Sequence, residues 1–374
     1  MCLDQLEMSK ARALRLEYLE TFLMIIPIIL ILSLGITVIF SSSQPLAFQQ
    51  IFFALIGLAG FFAVRWFDYR VLSNYVKIFY GLALILLIVT WFIGFETRGS
   101  VRWISLGLIN FQTSEFAKPV IILTLAWFWT KNPASWPAIF KSALLALPVF
   151  FLIFIQPDLG TSLTILAIWA GMLIASNISI KKILVLFLAG LLVLPVSWFF
   201  MHDYQRERLV SFVSPEHDPQ GIGFHAIQST IAVGSGGIFG RGLGRGTQSR
   251  LQFLPEFRTD FIFAFIAEEL GFFGSGILLT FYGLILFLIF RVINLSRDRF
   301  GELICVGVLS MLGVQIFINV GMNVGILPIT GITLPLLSYG GSSLLSVLIC
   351  LGFVSSVAKY TLKKRTVESF DPIG

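Results

Sequence analysis

Long apolar runs separated by short polar breaks dominate the chain. From Thr21 to Val64 there is no charged residue, and as one helix this stretch would be roughly twice as long as the bilayer core is thick. It is expected to turn once, at Ser41-Ser42-Ser43-Gln44-Pro45, where hydroxyls, an amide and a proline favour a turn. The same reading predicts ten spans, near 21–40, 46–64, 78–95, 116–130, 142–156, 159–180, 183–201, 261–290, 303–324 and 334–358. An even number puts both termini on one side. Most lysines and arginines then fall in cytoplasmic segments, as the positive-inside rule requires, and the others lie within Glu96–Lys118 or His202–Asp260.

The expected architecture is an all-α polytopic membrane protein of about ten transmembrane helices, with both termini cytoplasmic. It is a single domain over 1–374, with a cytoplasmic N-terminal segment (1–20), one large extracytoplasmic loop (202–260) and a cytoplasmic tail (361–374). The loop far exceeds an ordinary connection, and Phe212, Phe224, Ile227 and Ile231 suit a re-entrant or interfacial course. Its charge-free stretch, Pro219 to Gly240, is not counted as a span: its glycines weaken a helix, and an eleventh crossing would invert the charge pattern downstream. The charged first twenty residues contain no short apolar core of a removable leader, so the first span is expected to stay as an anchor.

Composition agrees: 57% of residues are AVILMFWYC and 12% are charged, a surplus of apolar surface beyond what one soluble core buries. The net charge of +6 reports topology rather than nucleic-acid binding. Three cysteines exclude a disulfide framework, and His202, His217 and His225 lack ligand spacing, so no metal site is expected.

Ionisable groups beside or within spans are costly and suggest function. Five clusters qualify. Arg98 to Trp103 leads to Phe111-Gln112-Thr113-Ser114-Glu115-Phe116-Ala117-Lys118-Pro119, in which Glu115 and Lys118 stand at i and i+3 and can pair. A helix-start ion pair is the plain alternative. Gln156-Pro157-Asp158-Leu159-Gly160-Thr161 puts one acid at a turn, either as a helix cap or as a substrate-orienting group. The glycine-rich run from Gly234 to Arg250 looks like a phosphate loop but lacks the βαβ context and the Lys-Ser/Thr ending. Its glycines would still let backbone N–H groups approach an anion, and Arg241, Arg245 and Arg250 offer planar forks for phosphate oxygens. The alternative is a flexible loop with solvated arginines.

Leu254-Pro255-Glu256-Phe257-Arg258-Thr259-Asp260-Phe261 ends where apolar sequence resumes, so Asp260 is either a proton acceptor or a helix cap. Glu268 and Glu269, two turns further in, read as an internal ion pair or a proton relay. The stretch Asn319 to Ser343 interrupts apolar sequence with Pro328, Pro335 and several glycines. Irregular backbone of this kind lines a cavity, with Ser338 to Ser343 as pocket wall.

On these motifs the chain resembles the SEDS family of cell-wall polymerases, the RodA, FtsW and SpoVE group, over essentially its whole length. Asn319 to Ser343 fits the family signature, and Gly234-Ser235-Gly236-Gly237, Gly242-Leu243-Gly244, Leu254-Pro255-Glu256, Thr259-Asp260-Phe261 and Glu268-Glu269-Leu270-Gly271 are further hallmarks. Gln156 to Ser162, Gly246 to Ser249 and Phe111 to Glu115 are more similar to the elongation branch, RodA, than to the division branch, FtsW. Two positions depart from the pattern: Arg258 stands where His is usual before Thr-Asp, and Phe224 where Tyr is usual.

The resemblance implies a peptidoglycan glycosyltransferase of the bacterial cytoplasmic membrane, active on its outer side. It would polymerise lipid II for cell elongation and work with a class B penicillin-binding protein. Asp260 matches the family's essential aspartate, and Trp103, Glu115 and Lys118 match positions in or near the same cavity. The candidate set is Asp260 as catalytic base, with Arg102, Trp103, Glu115, Lys118, Asp158, Arg241, Arg245, Gln248, Glu256, Arg258, Ser338 and Ser342 in substrate binding. The donor would be a glycan on polyprenyl diphosphate and the acceptor the 4-hydroxyl of lipid II, so the β-1,4 bond forms by one inversion and one base suffices. No tightly bound cofactor is expected. Arginines, Lys118 or a Mg²⁺ or Mn²⁺ ion would balance the departing diphosphate. Besides these substrates and the transpeptidase, only membrane lipid is an expected partner, with no nucleic acid. Two rival readings stand beside it, a flippase for lipid-linked precursors and a non-catalytic scaffold for a synthase.

Overall fold

A computed structural model describes residues 23–97, 100–105, 107, 110–201, 203–214, 222–246 and 257–368. Among these are twelve helices: α1 Leu23–Ser42, α2 Gln44–Trp66, α3 Tyr69–Ile93, α4 Thr113–Lys131, α5 Trp136–Ile155, α6 Leu159–Ala175, α7 Ile180–Phe200, α8 Asp203–Val213, α9 Ile222–Ser235, α10 Ile262–Leu295, α11 Arg299–Asn323 and α12 Gly341–Glu368. Seven of them (α1, α2, α3, α5, α10, α11 and α12) are long and apolar enough to cross a membrane. Each of the ten expected spans coincides with a helix. The chain is a multi-pass membrane protein.

Local chemistry explains most boundaries. The turn between α1 and α2 is the single residue Ser43, followed by Pro45 in the first turn of α2, where its missing N–H costs nothing. Asp68, Ser135, Asp158 and Asp298 cap α3, α5, α6 and α11, each accepting from a backbone N–H of the first turn. Helix α3 begins earlier than the expected 78. Arg70 lies over the rings of Tyr69 and Tyr360, and Lys77 over that of Trp127, so the helix carries its cations without a break.

Two departures from the expected fold matter for function. Between α3 and α4 the chain forms a three-stranded antiparallel sheet, β1 Phe95–Thr97, β2 Ser100–Ser105 and β3 Asn110–Gln112, in the order β1-β2-β3 with Trp103 opposite Gln112. Residues 334–340, expected as the start of the last span, are not helical. Pro335 and a Leu336 held at φ +67° keep them irregular until α12 starts at Gly341.

Helix α4 is central, packed against α3, α5, α6, α11 and α12 and buried along most of its length. Large apolar side chains such as Phe48, Phe92, Leu192 and Phe272 are exposed on the outside of the bundle, as a lipid-facing surface requires. Helix association then rests on close packing rather than on water exclusion. Gly57 of α2 provides it, since a Cβ there would lie 2.4 Å from Leu348 Cδ1 of α12.

The glycine-rich run forms helix α9 as far as Ser235 and then a turn that locks onto a break in α10. At Gly271 the backbone leaves helical geometry (φ 68°, ψ −165°), which frees carbonyls and N–H groups inside the bundle. Arg241 N donates to Glu268 O at 3.0 Å and Gly242 N to Glu269 O at 2.9 Å, while Phe272 N and Phe273 N donate to Gly237 O and Ile238 O at 2.8 and 3.1 Å. A Cβ on Gly271 would lie 2.2 Å from Gly240 N. Gly271→Ala is therefore expected to destabilise the protein by about 1–3 kcal/mol from backbone conformation alone, and by more once the clash is added. Gly283→Ala in the same helix, where a Cβ meets nothing, should be neutral or mildly stabilising. Thermal unfolding of the two variants in detergent checks this, and equal shifts would refute the latch.

Candidate active site

A polar cavity of about 630 Å³ opens where the small sheet, the α5–α6 turn, α8, the turn before α10 and the irregular segment 324–340 meet. Asp260 lines it, immediately ahead of α10. The N-cap residue of α10 is Phe261, so Asp260 stands one residue ahead of the helix. Backbone clamping fixes Asp260. Its carbonyl accepts from Asn319 Nδ2 at 2.9 Å and Asn323 Nδ2 at 3.0 Å, two carboxamides one turn apart on α11. Asn323 Oδ1 in turn accepts from Ala264 N at 3.2 Å and from Ser229 Oγ of α9 at 3.3 Å, so one side chain ties three helices together at the aspartate.

The neighbouring Arg258 is fixed as firmly. Its Nε donates to Ser42 Oγ at 2.9 Å, one Nη donates to Ser42 O at 3.3 Å, and its guanidinium lies 4.6 Å from the Phe257 ring centre. The signature segment closes around this turn. Ser338 Oγ donates to Thr259 O at 2.6 Å and accepts from Leu334 N at 2.8 Å, Tyr339 N donates to Arg258 O at 2.9 Å, and Gln50 of α2 brackets Ser338 O and Gly340 N. Ser338 and Ser342 thus hold backbone in place rather than line the cavity. Ser342 Oγ accepts from Gln112 N at 3.1 Å, which pins β3 to α12. Burial pushes the Tyr339 phenol above its ordinary range, so it remains a neutral donor, to Gln49 Oε1 at 2.6 Å.

Asp158 is the cap of α6 and a tie between elements. Its Oδ1 caps α6 by accepting from Thr161 N at 3.0 Å, while Oδ2 accepts from Ser114 Oγ at 3.1 Å and Gln112 Nε2 at 3.3 Å. Arg102 Nη1 of β2 lies 3.7 Å from Oδ1. The acid therefore anchors the sheet that carries Arg102 and Trp103 to the cavity. Glu115 and Lys118 form the expected i, i+3 pair at 2.7 Å. Glu115 reaches the cavity wall and Lys118 is fully buried behind it.

The glycine run departs from the anion-cradle expectation. The N–H groups of Arg241, Gly242 and Gly244 are taken by Glu268 O, Glu269 O and, at 2.7 Å, Glu269 Oε1, so this backbone serves α10 instead of a phosphate. Arg241 turns its Nε toward Ser235 O at 3.3 Å, and neither it nor Arg245 lines the cavity. Glu268 and Glu269, buried at this latch, do not line it either. Gln248 and Glu256 lie outside the described residues. Among the described residues no three of His, Cys, Asp and Glu come together as a metal-binding group.

The structure adds Arg208 of α8, together with Gln315, Thr330 and Thr333, to the cavity wall. A Cβ placed on Gly331 would lie 3.6 Å from Asp260 Oδ2 and 3.8 Å from Arg208 Nη1, so the carboxylate and the guanidinium approach the same point. The signal for Arg208 in the sequence was weak: it is one of the outer-side cations that break the positive-inside rule, within a loop whose helices were not expected.

The model of the cell cycle protein family FtsW/RodA/SpoVE matches residues 14–363. The chain belongs to this family. It is 40% identical to the peptidoglycan glycosyltransferase MrdB of Escherichia coli K12 over 305 residues, 80% of this chain and 81% of that one. It is also 35% identical to stage V sporulation protein E of Bacillus subtilis, covering 91% of this chain and 97% of that one. Among solved structures, the Thermus thermophilus rod shape determining protein RodA superposes with a TM-score of 0.68 at 30% identity, covering 91% of this chain and 96% of that one. A chain from work on the structural coordination of polymerization and crosslinking by a peptidoglycan synthase complex gives 0.79 at 35% identity, covering 90% and 97%. Within the family the chain is RodA-like.

Asn323→Ala would leave Ala264 N without its side-chain acceptor and remove one of two donors to Asp260 O, while Ser229 Oγ keeps the backbone carbonyl of residue 323 at 3.0 Å. Unsatisfied buried groups of this kind cost about 1–3 kcal/mol. The expected outcome is a lower unfolding temperature together with loss of activity beyond that of Asn319→Ala, measured side by side. A variant unchanged in both would remove the clamp from the account.

Proposed function

We propose that this family member is a peptidoglycan polymerase of the cytoplasmic membrane, with its cavity on the outer side. It transfers a growing glycan from polyprenyl diphosphate to lipid II, in elongation, beside a class B penicillin-binding protein that cross-links the product. The observation that carries the reading is the placement of Asp260 in a cavity whose other walls bring in Arg102, Arg208 and Arg258. A base for one hydroxyl and cations for a departing diphosphate are what a single inversion requires.

In the reaction, Asp260 accepts the proton of the acceptor 4-hydroxyl as that oxygen bonds to the donor's anomeric carbon. The bond from that carbon to the diphosphate breaks, and its electron pair leaves on the diphosphate. Arg258, held by Ser42, and Arg102, held near Asp158, are fixed before substrate arrives, so their charge stabilises the leaving group with little reorganisation. Among the described residues no carboxylate cluster is gathered for a cation, and these arginines supply the charge matching. A Mg²⁺ or Mn²⁺ ion held with the substrate would add to it as a Lewis acid. The polar cavity takes the sugars while the polyprenyl tails stay in lipid.

The test gives purified chain, alone and with its cognate transpeptidase, fluorescent lipid II with and without Mg²⁺ or Mn²⁺. Asp260→Asn is expected to lower glycan synthesis by roughly 10²–10⁴-fold, the usual contribution of a general base, while lipid II binding persists. Absence of glycan from the wild type under every condition would overturn the polymerase. Glycan unchanged in Asp260→Asn would remove Asp260 as the base. Flipping of lipid II without polymerisation would establish the transporter instead.

A further inference from the structure

A second, smaller cleft of about 180 Å³ lies between α8, α9 and the segment after α11. Its wall is largely apolar, with Phe212, Ala226, Ile227, Met322 and Leu327 among the lining residues. One charged side chain borders it, Arg208, and the same side chain lines the large cavity. The three surfaces therefore follow one another in a fixed order: the polar cavity with Asp260, then a guanidinium, then an apolar cleft.

We infer that Arg208 holds the diphosphate of the donor, with the first isoprene units of its tail in the α8–α9 cleft. The inference rests on the polymerase reading and deepens it. The order of surfaces is the order of groups in the molecule, in which a sugar is joined through a diphosphate to a branched hydrocarbon. Arginine's planar fork suits two phosphate oxygens at once. An apolar cavity of about 150 Å³ holds one benzene-sized molecule, so this cleft takes roughly one to two five-carbon units.

Distance selects the donor over the acceptor. Arg208 Nη1 and Asp260 Oδ2 both stand within 4 Å of the same point beside Gly331. The donor's diphosphate departs from the carbon that the acceptor oxygen attacks, so it must lie close to the base. The acceptor's own diphosphate is separated from its 4-hydroxyl by a whole disaccharide and belongs elsewhere. In the step described above, Arg208 takes up the charge that develops as the bond to the anomeric carbon breaks.

The test measures binding of a fluorescent polyprenyl diphosphate to the full chain in lipid nanodiscs. Wild type is compared with Arg208→Gln, Arg208→Lys, Ala226→Leu and Ala226→Trp, with inorganic diphosphate and polyprenyl alcohol as competitors. Arg208→Gln is expected to weaken binding about tenfold or more, as loss of a charge-assisted hydrogen bond does, and Arg208→Lys less. The Ala226 variants should weaken it in order of side-chain size. Inorganic diphosphate should compete equally well against wild type and Ala226→Leu, since the headgroup site is intact in both. The milder pair, Arg208→Lys and Ala226→Leu, decides the matter should the other two fail to fold. Binding indifferent to both positions overturns the donor subsite and leaves the role of Asp260 untouched. Binding that depends on Arg208 in a chain that makes no glycan supports the subsite while ending the polymerase reading.

Discussion

Inside a hydrocarbon layer, backbone that leaves the helix must find every hydrogen-bond partner within the protein, because water is not there to supply one. The arrangement around Asp260 follows from this constraint. Irregular backbone is confined to places where other parts of the chain can satisfy it: the turn 236–246 against the α10 break, the turn 257–260 against Asn319, Asn323 and Ser338, and the segment 324–340 against Gln50. Each of these partners also fixes a position. The groups that make non-helical chain tolerable are therefore the ones that hold Asp260 and Arg258 still.

Polarity is inverted relative to a soluble enzyme. Leucines and phenylalanines cover the outside, while Gln50, Glu115, Lys118, Asp158, Asn319 and Asn323 are buried within. Such groups are expensive to bury and are retained only when paired. Glu115 with Lys118, and Asp158 with Ser114, Gln112, Thr161 and nearby Arg102, are two solutions to the same cost. Both lie under the small sheet and give it a rigid footing.

The helices were legible in the sequence because apolar run length is a direct reading of bilayer thickness, and every expected span coincides with a helix. Asp260, Arg258 and the Asn319–Ser343 segment were legible because charge and irregular backbone stand out against apolar sequence. What was hidden has physical reasons. Strands of three and six residues, Phe95–Thr97 and Ser100–Ser105, are too short to show alternation, and their pairing depends on neighbours. The glycine run pointed to an anion because sequence shows which backbone can approach closely but not what it approaches, which here is α10. Arg208 was obscured because its place in the cavity depends on how α8 folds back, and no local pattern encodes that.

The bond from Arg258 to Ser42 joins the turn 257–260 to the last residue of α1. The twenty described residues of that helix, Leu23–Ser42, run about 30 Å at 1.5 Å each, enough to cross a hydrocarbon layer. Arg258 is thus tied to the end of a membrane-length helix. A helix none of whose described residues lines the cavity therefore holds one of the cavity's cations in place.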